Sequence, residues 1–298
     1  MAKIVISALG CKPNGIYIDA TLGGGGHAQM ILEASSPNGF LLGIDRDNDT
    51  LTLASEALKE FGSRVKIVQG DFKDLNEICE KENISKADGI LMDLGISSIQ
   101  LEKGSRGFSF RRPEEPLDMR MDKNNGITAA EVLNHFPERK IQAILRQFGE
   151  ERWASRIARE IVITRKHTPF RKVEDLIQAV KRAIPAKARH GKRHMATKTF
   201  QALRIYVNNE LEALEKGLRA GLHLLAPAGR MAVISFHSLE DRIVKQTFRE
   251  AAKSPKTFGA ASFRIITRRP ATPAKRETDQ NPRARSAKLR VIEKEESA

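Results

Sequence analysis

Four aspartates in the first hundred residues each follow a short apolar run that predicts a buried β-strand. They are Asp19, Asp45, Asp71 and Asp93. In an open parallel sheet the carboxyl ends of the strands share one edge, and the ligand crevice lies at that edge. A single aspartate there is most often a helix cap. Four at one edge favour a ligand site, and carboxylates suit a ligand that carries positive charge and hydroxyl groups.

A run of four glycines, residues 23–26, lies between the first aspartate and a predicted helix. Glycine has no Cβ, so the backbone can turn sharply and approach a ligand closely. The spacing Gly23-x-Gly25-x-x-Ala28 fits a dinucleotide-binding loop, and Asp45 lies about 20 residues further on, where a ribose acceptor is expected. This pattern is weak by itself, because glycine-rich turns also occur for structural reasons alone.

The acids at the predicted edge favour one ligand over another. An anionic pyrophosphate disfavours nearby carboxylates, whereas S-adenosylmethionine is a sulfonium with an α-amino group and a ribose. The form Asp19-x-x-x-Gly23-x-Gly25 resembles the first motif of class I methyltransferases. Phe72 either packs on the adenine or belongs to the core. A nicotinamide-dependent oxidoreductase remains the alternative enzyme.

The order of the predicted elements indicates an α/β fold with an insertion. Over the first hundred residues strands alternate with helices, as in a doubly wound parallel sheet. From about residue 104 the pattern becomes helical, with a capping box at Thr128-x-x-Glu131, and a fifth strand follows at 230–236. We therefore predict a class I methyltransferase domain over 1–104 and 205–298, and an inserted all-helical, basic RNA-recognition subdomain over 105–204.

Three local features are predicted in the last part of the chain. A turn is expected at 227–229, and Ser238 with Asp241 is expected to cap a helix over 242–250. The segment between two closing strands, 263–266 and 289–292, is polar and contains proline, and we expect it to be mobile.

Positive charge is concentrated outside the first hundred residues. Residues 1–100 carry 9 Lys and Arg against 14 Asp and Glu, whereas the other 198 residues carry 42 against 23. The asymmetry points to a polyanionic partner of the second part. The densest stretch has no acid and comprises Lys181, Arg182, Lys187, Arg189, Lys192, Arg193, Lys198 and Arg204. A solvated surface is the alternative, but self-repulsion favours phosphate contact.

The composition is that of a globular protein with a sizeable core: 298 residues, 40% hydrophobic and 30% charged. No apolar run approaches the roughly 20 residues of a membrane span, and the N-terminus has no convincing signal peptide. Cys11 and Cys79 give neither a disulfide framework nor a zinc spacing, which favours a reducing cytoplasm. No His, Cys and Asp cluster has metal-ligand spacing, so no structural metal is expected.

Several strings together resemble the bacterial RsmH (MraW) family of methyltransferases, which act on cytosine N4 of 16S ribosomal RNA. They run from about residue 15 to near the end of the chain and are specific as a set. They are Asp19-Ala-Thr-Leu-Gly-Gly-Gly-Gly-His27, Gly43-Ile-Asp-Arg-Asp47, Asp93-Leu-Gly-Ile-Ser-Ser98, Arg106-Gly-Phe-Ser-Phe110, Leu117-Asp-Met-Arg-Met-Asp122, Gly149-Glu-Glu-Arg152, Thr199-Phe-Gln-Ala-Leu-Arg204, Ser235-Phe-His-Ser-Leu-Glu-Asp-Arg242 and Asn281-Pro-Arg-Ala-Arg-Ser286.

The resemblance implies a cytoplasmic enzyme that methylates the decoding region of the small ribosomal subunit. It implies S-adenosylmethionine contacts at Gly24, Gly25, Gly26, His27, Asp45, Phe72, Asp93 and Gln100. One departure concerns the N-terminus. Family members usually begin with a longer segment carrying a His-x-Pro-Val-like stretch, whereas this chain starts at Met1-Ala-Lys, so no contact from that segment is carried over.

The acceptor chemistry points to the fourth strand end. The lone pair of a cytosine amino group is conjugated into the ring, so a hydrogen-bond acceptor for its protons would assist methylation. Many amino-methylating enzymes place Asp/Asn-Pro-Pro-aromatic there, and this chain has Asp93-Leu-Gly-Ile instead. Asp93, or a backbone carbonyl of its loop, is the candidate acceptor. Alternatively, Asp93 only binds cofactor or caps a helix. His27 and His237 are ambiguous.

Two further classes compete with an RNA methyltransferase. One is a non-catalytic RNA-binding or assembly factor with a vestigial pocket, which the intact glycine loop and acidic edge disfavour. The other is a DNA methyltransferase, which charge alone does not separate from an RNA enzyme.

Overall fold

A computed structural model describes residues 1–97, 100–101, 105–189, 194–254, 258 and 261–296. The chain divides into two compact units. The first comprises Met1–Gly95 with Leu211–Ala298, and the second is Ile96–Glu210. The predicted α/β class with an inserted helical part is confirmed. The assignment of a function to each part stays a prediction.

Seven strands and thirteen helices form the described chain. The strands are β1 Ile16–Asp19, β2 Phe40–Asp45, β3 Val65–Gln69, β4 Ala87–Asp93, β5 Leu225–Ser235, β6 Phe263–Ile265 and β7 Lys288–Lys294. The helices are α1 Ala2–Leu9, α2 Gly26–Ala34, α3 Asn48–Ala57, α4 Leu75–Lys81, α5 Ala129–His135, α6 Glu138–Gly149, α7 Ala154–Arg165, α8 Val173–Ala183, α9 Ala186–Arg189, α10 Thr197–Asn208, α11 Glu210–Leu224, α12 Ser238–Lys253 and α13 Lys275–Gln280. Short 3-10 turns lie at Lys59–Arg64, Phe72–Asp74 and Pro282–Ser286.

The first unit is built on one sheet with the strand order β3-β2-β1-β4-β5-β7-β6. Strands β1 to β5 are parallel, whereas β7 runs antiparallel to β5 and β6. From β1 the chain continues to β2 and β3 on one side and then returns to β4 on the other. The topological switch point therefore lies between β1 and β4, where ligands bind in such sheets.

Apolar residues cover both faces of this sheet. In β4, Ile90 and Met92 join one buried cluster with α4, α11 and α12, whereas Leu91 joins the cluster with α1, α2 and α3. Successive side chains of a strand point to opposite faces, so a strand buried on both sides reads as a continuous apolar run. This is why the first five strands were visible in the sequence.

The second unit encloses a core of its own between helices. Ile141, Ile144 and Leu145 recur at helical spacing and are buried on α6, and Ile157 and Ile161 are buried on α7. The predicted capping box is confirmed at the start of α5. The Glu131 N–H donates to Thr128 Oγ1 at 3.1 Å, and the Thr128 N–H donates to Glu131 Oε2 at 2.8 Å. No helix in the described ranges has both the length and the apolar character needed to cross a bilayer.

The predicted cap of α12 is wrong. The helix begins at Ser238, and its N-cap is His237, whose Nδ1 accepts from the Glu240 N–H at 3.3 Å. Glu240 Oε2 in turn accepts from the N–H groups of Phe236 and His237 at 2.8 and 3.2 Å. The capping box of α12 is therefore formed by His237 and Glu240. Asp241 instead pairs with Arg290 and Lys288 of β7.

One other local expectation also needs correction. Residues 227–229 do not separate a helix from a strand but lie inside β5, where the register with β4 jumps from Ala87↔Leu225 to Gly89↔Arg230. This jump is a bulge that absorbs the turn residues. The segment between β6 and β7 contains α13 and the 3-10 turn Pro282–Ser286, and its mobility stays a prediction.

Candidate cofactor cleft

The cleft lies at the carboxyl edge of three neighbouring strands. In the sheet, Asp19 of β1 lies beside Gly43 of β2 and Leu91 of β4. Strands β2 and β4 end two residues later, at Asp45 and Asp93. The strand order therefore brings three carboxyl groups to the switch point.

The glycine loop has a backbone that other residues adopt only at a cost. Gly23 has a φ of 53° and Gly25, the N-cap of α2, a φ of 83°. A Cβ on Gly25 would lie 3.3 Å from Leu58, whereas a Cβ on Gly26 would meet no described atom within 4 Å. Gly24 and Gly26 are both exposed. The loop is thus fixed on its inner side and open on the other.

Asp45 is held by two backbone groups. Its Oδ2 accepts from the Gly23 N–H and its Oδ1 from the Asp47 N–H, both at 2.9 Å. Burial raises the pKa of this carboxyl above its ordinary value. The two hydrogen bonds fix the orientation of the carboxyl and tie the glycine loop to the end of β2.

Asp19 is buried, and one of its oxygens is unused. Its Oδ1 accepts from the Thr21 N–H at 3.2 Å, while its Oδ2 has no hydrogen-bond partner among the described residues. Burial raises the pKa of Asp19 to about 7, and the nearby charges of Asp93 and Asp45 act in the same direction. A cation that enters the cleft would stabilise the ionised form of this carboxyl.

Asp93 has a similar environment at the end of β4. Its N–H donates to Thr21 Oγ1 at 2.6 Å, and its Oδ1 is buried without a hydrogen-bond partner in the described ranges. Burial, followed by the charge of Glu240, raises the pKa of Asp93 to about 7. Its Oδ2 lies 3.5 Å from His27 Nδ1. Because burial lowers the pKa of His27, that imidazole is neutral at neutral pH and supplies no counter-charge to Asp93.

The fourth predicted acid is different. Asp71 forms an ion pair with Arg46, and it accepts from the Lys73 N–H at 3.1 Å as the cap of the following 3-10 turn. Arg46 also lies over the ring of Phe72, with its Cζ 5.9 Å from the centroid. Phe72 is half-buried and packs against the core beside α4. Its contact with an adenine stays a prediction.

Gln100 belongs to the second unit. Its side-chain Oε1 accepts from the Ser97 N–H at 3.0 Å, and its backbone N–H donates to Ser97 Oγ at 3.1 Å. These reciprocal bonds join Gln100 to Ser97. The cofactor contact that the resemblance implies for Gln100 stays a prediction.

The family follows from similarity along the whole chain. A family model described as the MraW methylase family matches residues 1–295. The chain belongs to this family. Three relatives carry the name "Ribosomal RNA small subunit methyltransferase H". That of Trichlorobacter lovleyi is 49% identical over 309 aligned residues, which cover 99% of this chain and 96% of the relative. Those of Symbiobacterium thermophilum and Halothermothrix orenii are 47% and 46% identical and cover 97% and 99% of this chain, and 93% and 97% of the relatives.

A member of the MraW methylase family is a methyltransferase, and its methyl donor is S-adenosylmethionine. The nicotinamide-dependent alternative is therefore wrong. The cleft fits this donor on three observations: the unpartnered oxygens of Asp19 and Asp93, the fixed carboxyl of Asp45, and the open side of the glycine loop at Gly26. The unpartnered oxygens of Asp19 and Asp93 suit a cation, and the fixed carboxyl of Asp45 at the end of β2 suits a ribose diol.

The basic stretch of the second unit has more partners within the protein than its sequence indicated. Arg182 pairs with Glu160 at 2.5 Å and Arg204 with Glu210 at 2.7 Å, so acids outside the stretch neutralise two of its arginines. Arg189 donates to the Ile184 carbonyl, and Lys198 donates to the Glu150 carbonyl. Lys181 and Lys187 are exposed, and Lys192 and Arg193 lie outside the described residues. The premise that this stretch has no counter-charge is therefore wrong.

Sequence reasoning missed the role of Thr21. Its N–H and hydroxyl contact Asp19 and the backbone of Asp93, so it connects the ends of β1 and β4. A hydroxyl residue two positions after an aspartate at a strand end is a recognisable turn signal. The signal predicts the local turn, but not the bond to a strand that is distant in sequence.

Proposed function

We propose that this chain transfers a methyl group from S-adenosylmethionine to N4 of a cytidine in the decoding region of 16S rRNA. Family membership and relatives named as small-subunit rRNA methyltransferases support the substrate class. The resemblance described above supports the atom and the region. Ribosomal RNA as substrate also supports a cytoplasmic location.

The main structural support for this proposal is the environment of Asp93. The donor supplies an electrophilic methyl group on sulfur, so the chain has to align the acceptor and manage the amino protons. Asp93 stands at the switch point with an unpartnered Oδ1, and Thr21 fixes its backbone. In its ionised form the carboxylate accepts a hydrogen bond from the cytosine amino group and balances the positive charge that develops on nitrogen.

The donor would be held by the rest of the cleft. Asp19 offers charge to its cationic part and Asp45 offers acceptors to its ribose, while Phe72 packs on its adenine. The backbone of the glycine loop lies alongside. The proposed contact set is Gly24, Gly25, Gly26, His27, Asp45, Phe72, Asp93 and Gln100.

The second unit would hold the RNA. Residues 96–210 carry 24 Lys and Arg against 13 Asp and Glu, and a polyanion releases counterions when it binds such a surface. The target base must leave its stack to reach a carboxylate in a cleft. We assign no metal to RNA binding or to methyl transfer.

Methyl transfer is tested with labelled S-adenosylmethionine and purified small subunits, followed by nucleoside mass spectrometry. We expect label in a single N4-methylcytidine. Protein-free rRNA and duplex DNA of matched length serve as parallel acceptors. Label in DNA alone would make the chain a DNA methyltransferase, and no label in any acceptor would make it a binding factor.

The role of Asp93 is tested with Asp93→Asn in single turnover. The wild-type rate should rise with pH as Asp93 ionises and then level off, because only the carboxylate accepts the proton. The bound cationic donor should place this rise below the pKa of about 7 that Asp93 has in the donor-free chain. The variant should lose both this rise and about 100-fold or more of the rate at saturating donor. Weaker donor binding with an unchanged rate at saturation would restrict Asp93 to cofactor binding.

A further inference from the structure

The second unit carries arginines that no acid neutralises. They lie on the packed helix pair α6 and α7, outside the basic stretch that the sequence singled out. Arg139 and Arg146 on α6, and Arg152 and Arg156 at the start of α7, are exposed, and none forms an ion pair with an acid of the described chain. Together these four residues form what we call the arginine face. By contrast, Arg182 and Arg204 have carboxylate partners.

An aromatic ring organises one part of this face. The guanidinium carbons of Arg152 and Arg156 both lie 5.2 Å from the ring of Trp153. Trp153 is half-buried, and its side chain packs against the core of the second unit. Its backbone N–H donates to Oε1 of the buried Glu151 at 2.9 Å. The packing holds the indole, and the backbone bond fixes the turn that carries it. An anchored indole restricts two flexible cationic side chains, which lowers the entropy that each loses on binding a ligand.

The other part of the face lines a shallow depression. Arg139 and Arg146 lie seven residues apart on one side of α6, with Gln142, Ala143 and Gln147 between or beside them. The depression therefore presents two permanently charged guanidinium groups, which donate hydrogen bonds. The amide side chains between them are polar but neutral. No carboxylate lines the depression, so an anionic backbone meets no repulsion there.

We propose that the arginine face docks the phosphodiester backbone of the RNA substrate, with Trp153 holding Arg152 and Arg156 in place for it. Arginine suits this task because its planar guanidinium can bind a phosphate through two hydrogen bonds. The inference rests on the proposed function for the identity of the RNA. It specifies the surface that binds the RNA and the chemical groups that make the contact.

The salt dependence of binding tests the proposal. Each phosphate contact that is lost lowers the slope of log K against log salt by about 0.7 to 0.9. Binding of the full chain to protein-free small-subunit rRNA is measured between about 50 and 300 mM salt. For Arg152→Gln with Arg156→Gln we expect a slope smaller by about 1.4 to 1.8 and an affinity about tenfold weaker at low salt. Arg139→Gln with Arg146→Gln should lower the slope similarly.

A separate variant tests the part of Trp153. Trp153→Leu keeps an apolar side chain against the core but removes the aromatic face. It should weaken RNA binding several-fold while the salt slope stays unchanged, because all four charges remain. An unchanged affinity would remove Trp153 from the proposal.

Arg182→Gln is the matched control, since Arg182 is an exposed arginine of the same unit that already has a carboxylate partner. It should change the slope little. S-adenosylmethionine affinity and thermal unfolding of each variant are measured alongside. Wild-type slope and affinity in both double variants, or an equal loss in Arg182→Gln, would overturn the docking surface. If the wild type binds rRNA but transfers no methyl group to it, the proposed function fails and the docking result still stands.

Discussion

The two units handle charge in opposite ways. The first unit keeps Asp19 and Asp93 in its cleft, each with a buried oxygen that no described residue contacts by a hydrogen bond. The second unit keeps Arg152 and Arg156 on its surface, exposed and stacked on an indole. A buried unpaired charge is costly and selects a ligand of opposite charge at short range. An exposed cation costs little and acts on any polyanion, with strong screening by salt.

The buried acids of the first unit suit selective recognition of a small ligand, whereas the exposed arginines of the second unit suit affinity for a long polyanion. A small cationic donor has to be recognised atom by atom, so its acids are buried and oriented by backbone groups, as Asp45 is by Gly23 and Asp47. A long anionic chain is held by many weak contacts, for which orientation matters less. Variants of the glycine loop should therefore leave rRNA affinity unaffected, and variants of the arginine face should leave donor affinity unaffected.

The largest expected effect on donor affinity comes from Gly25→Ala. With a φ of 83° and a Cβ 3.3 Å from Leu58, alanine would be strained and would displace the loop. Such strain costs about 1–2 kcal/mol, which corresponds to a loss of donor affinity of about 5- to 30-fold. Calorimetry with S-adenosylmethionine measures this loss, and rRNA affinity without donor should not change.

Gly62→Ala is the control for backbone strain alone. Gly62 also has a positive φ, of 54°, but a Cβ there would meet no described atom within 4 Å, and the residue lies outside the glycine loop. It should lower the melting temperature without weakening donor binding. Wild-type donor affinity in Gly25→Ala would contradict the assignment of the loop.

An intermediate effect is expected for Asp19→Asn, and the size of its effect on stability depends on pH. The pKa of Asp19 is about 7 in the folded chain against an ordinary 3.8. Between these values the folded chain holds a proton that the unfolded chain has released, so stability falls as pH rises through this window. The donor-free variant should thus gain stability over wild type at about pH 8 but little at about pH 4. Its donor affinity should fall at the higher pH. Thermal unfolding with and without donor measures both.

Asp71→Asn sharpens this test, because Asp71 is paired with Arg46. Removing one partner of a largely enclosed pair should lower stability at neutral pH instead of raising it. If both variants shift stability in the same direction, the distinction between paired and unpaired acids at this edge is wrong.

The smallest effect is expected for Thr128→Ala in the second unit. The change removes one half of the capping box with Glu131 and should cost about 1 kcal/mol of stability. Donor affinity should stay at the wild-type value, while thermal unfolding of the variant shifts by a few degrees. Thr128→Ser, which keeps the hydroxyl, should recover most of the loss. A drop in donor affinity would show that the units do not act separately.

The elements with a strong local signal were predictable. The parallel strands read as apolar runs ending in an acid because both of their faces are buried, and the stripe of α6 follows helical spacing. The acids that meet at the switch point followed from one rule about parallel sheets. The resemblance to a family then supplied the substrate, which no residue pattern encodes.

What sequence reasoning missed depends on partners that are distant in the chain. Arg182 and Arg204 looked free because their acids, Glu160 and Glu210, lie outside the stretch. Asp71 looked like Asp19 until Arg46 was placed beside it. The cap of α12 was misassigned because a histidine at the N-cap is an uncommon choice, although Glu240 three residues later is the usual capping-box partner.

The distance along the chain between β4 and β5 also constrains how the protein is made. Strand β4 ends at Asp93 and its neighbour β5 begins only at Leu225. At a synthesis rate of about 5–20 residues per second, the nascent chain carries four strands with an open edge for roughly ten seconds before the fifth emerges. Meanwhile all of the second unit leaves the ribosome and can form its own core. The open flank of β4 is thus the stretch of this polypeptide most in need of protection from aggregation during translation.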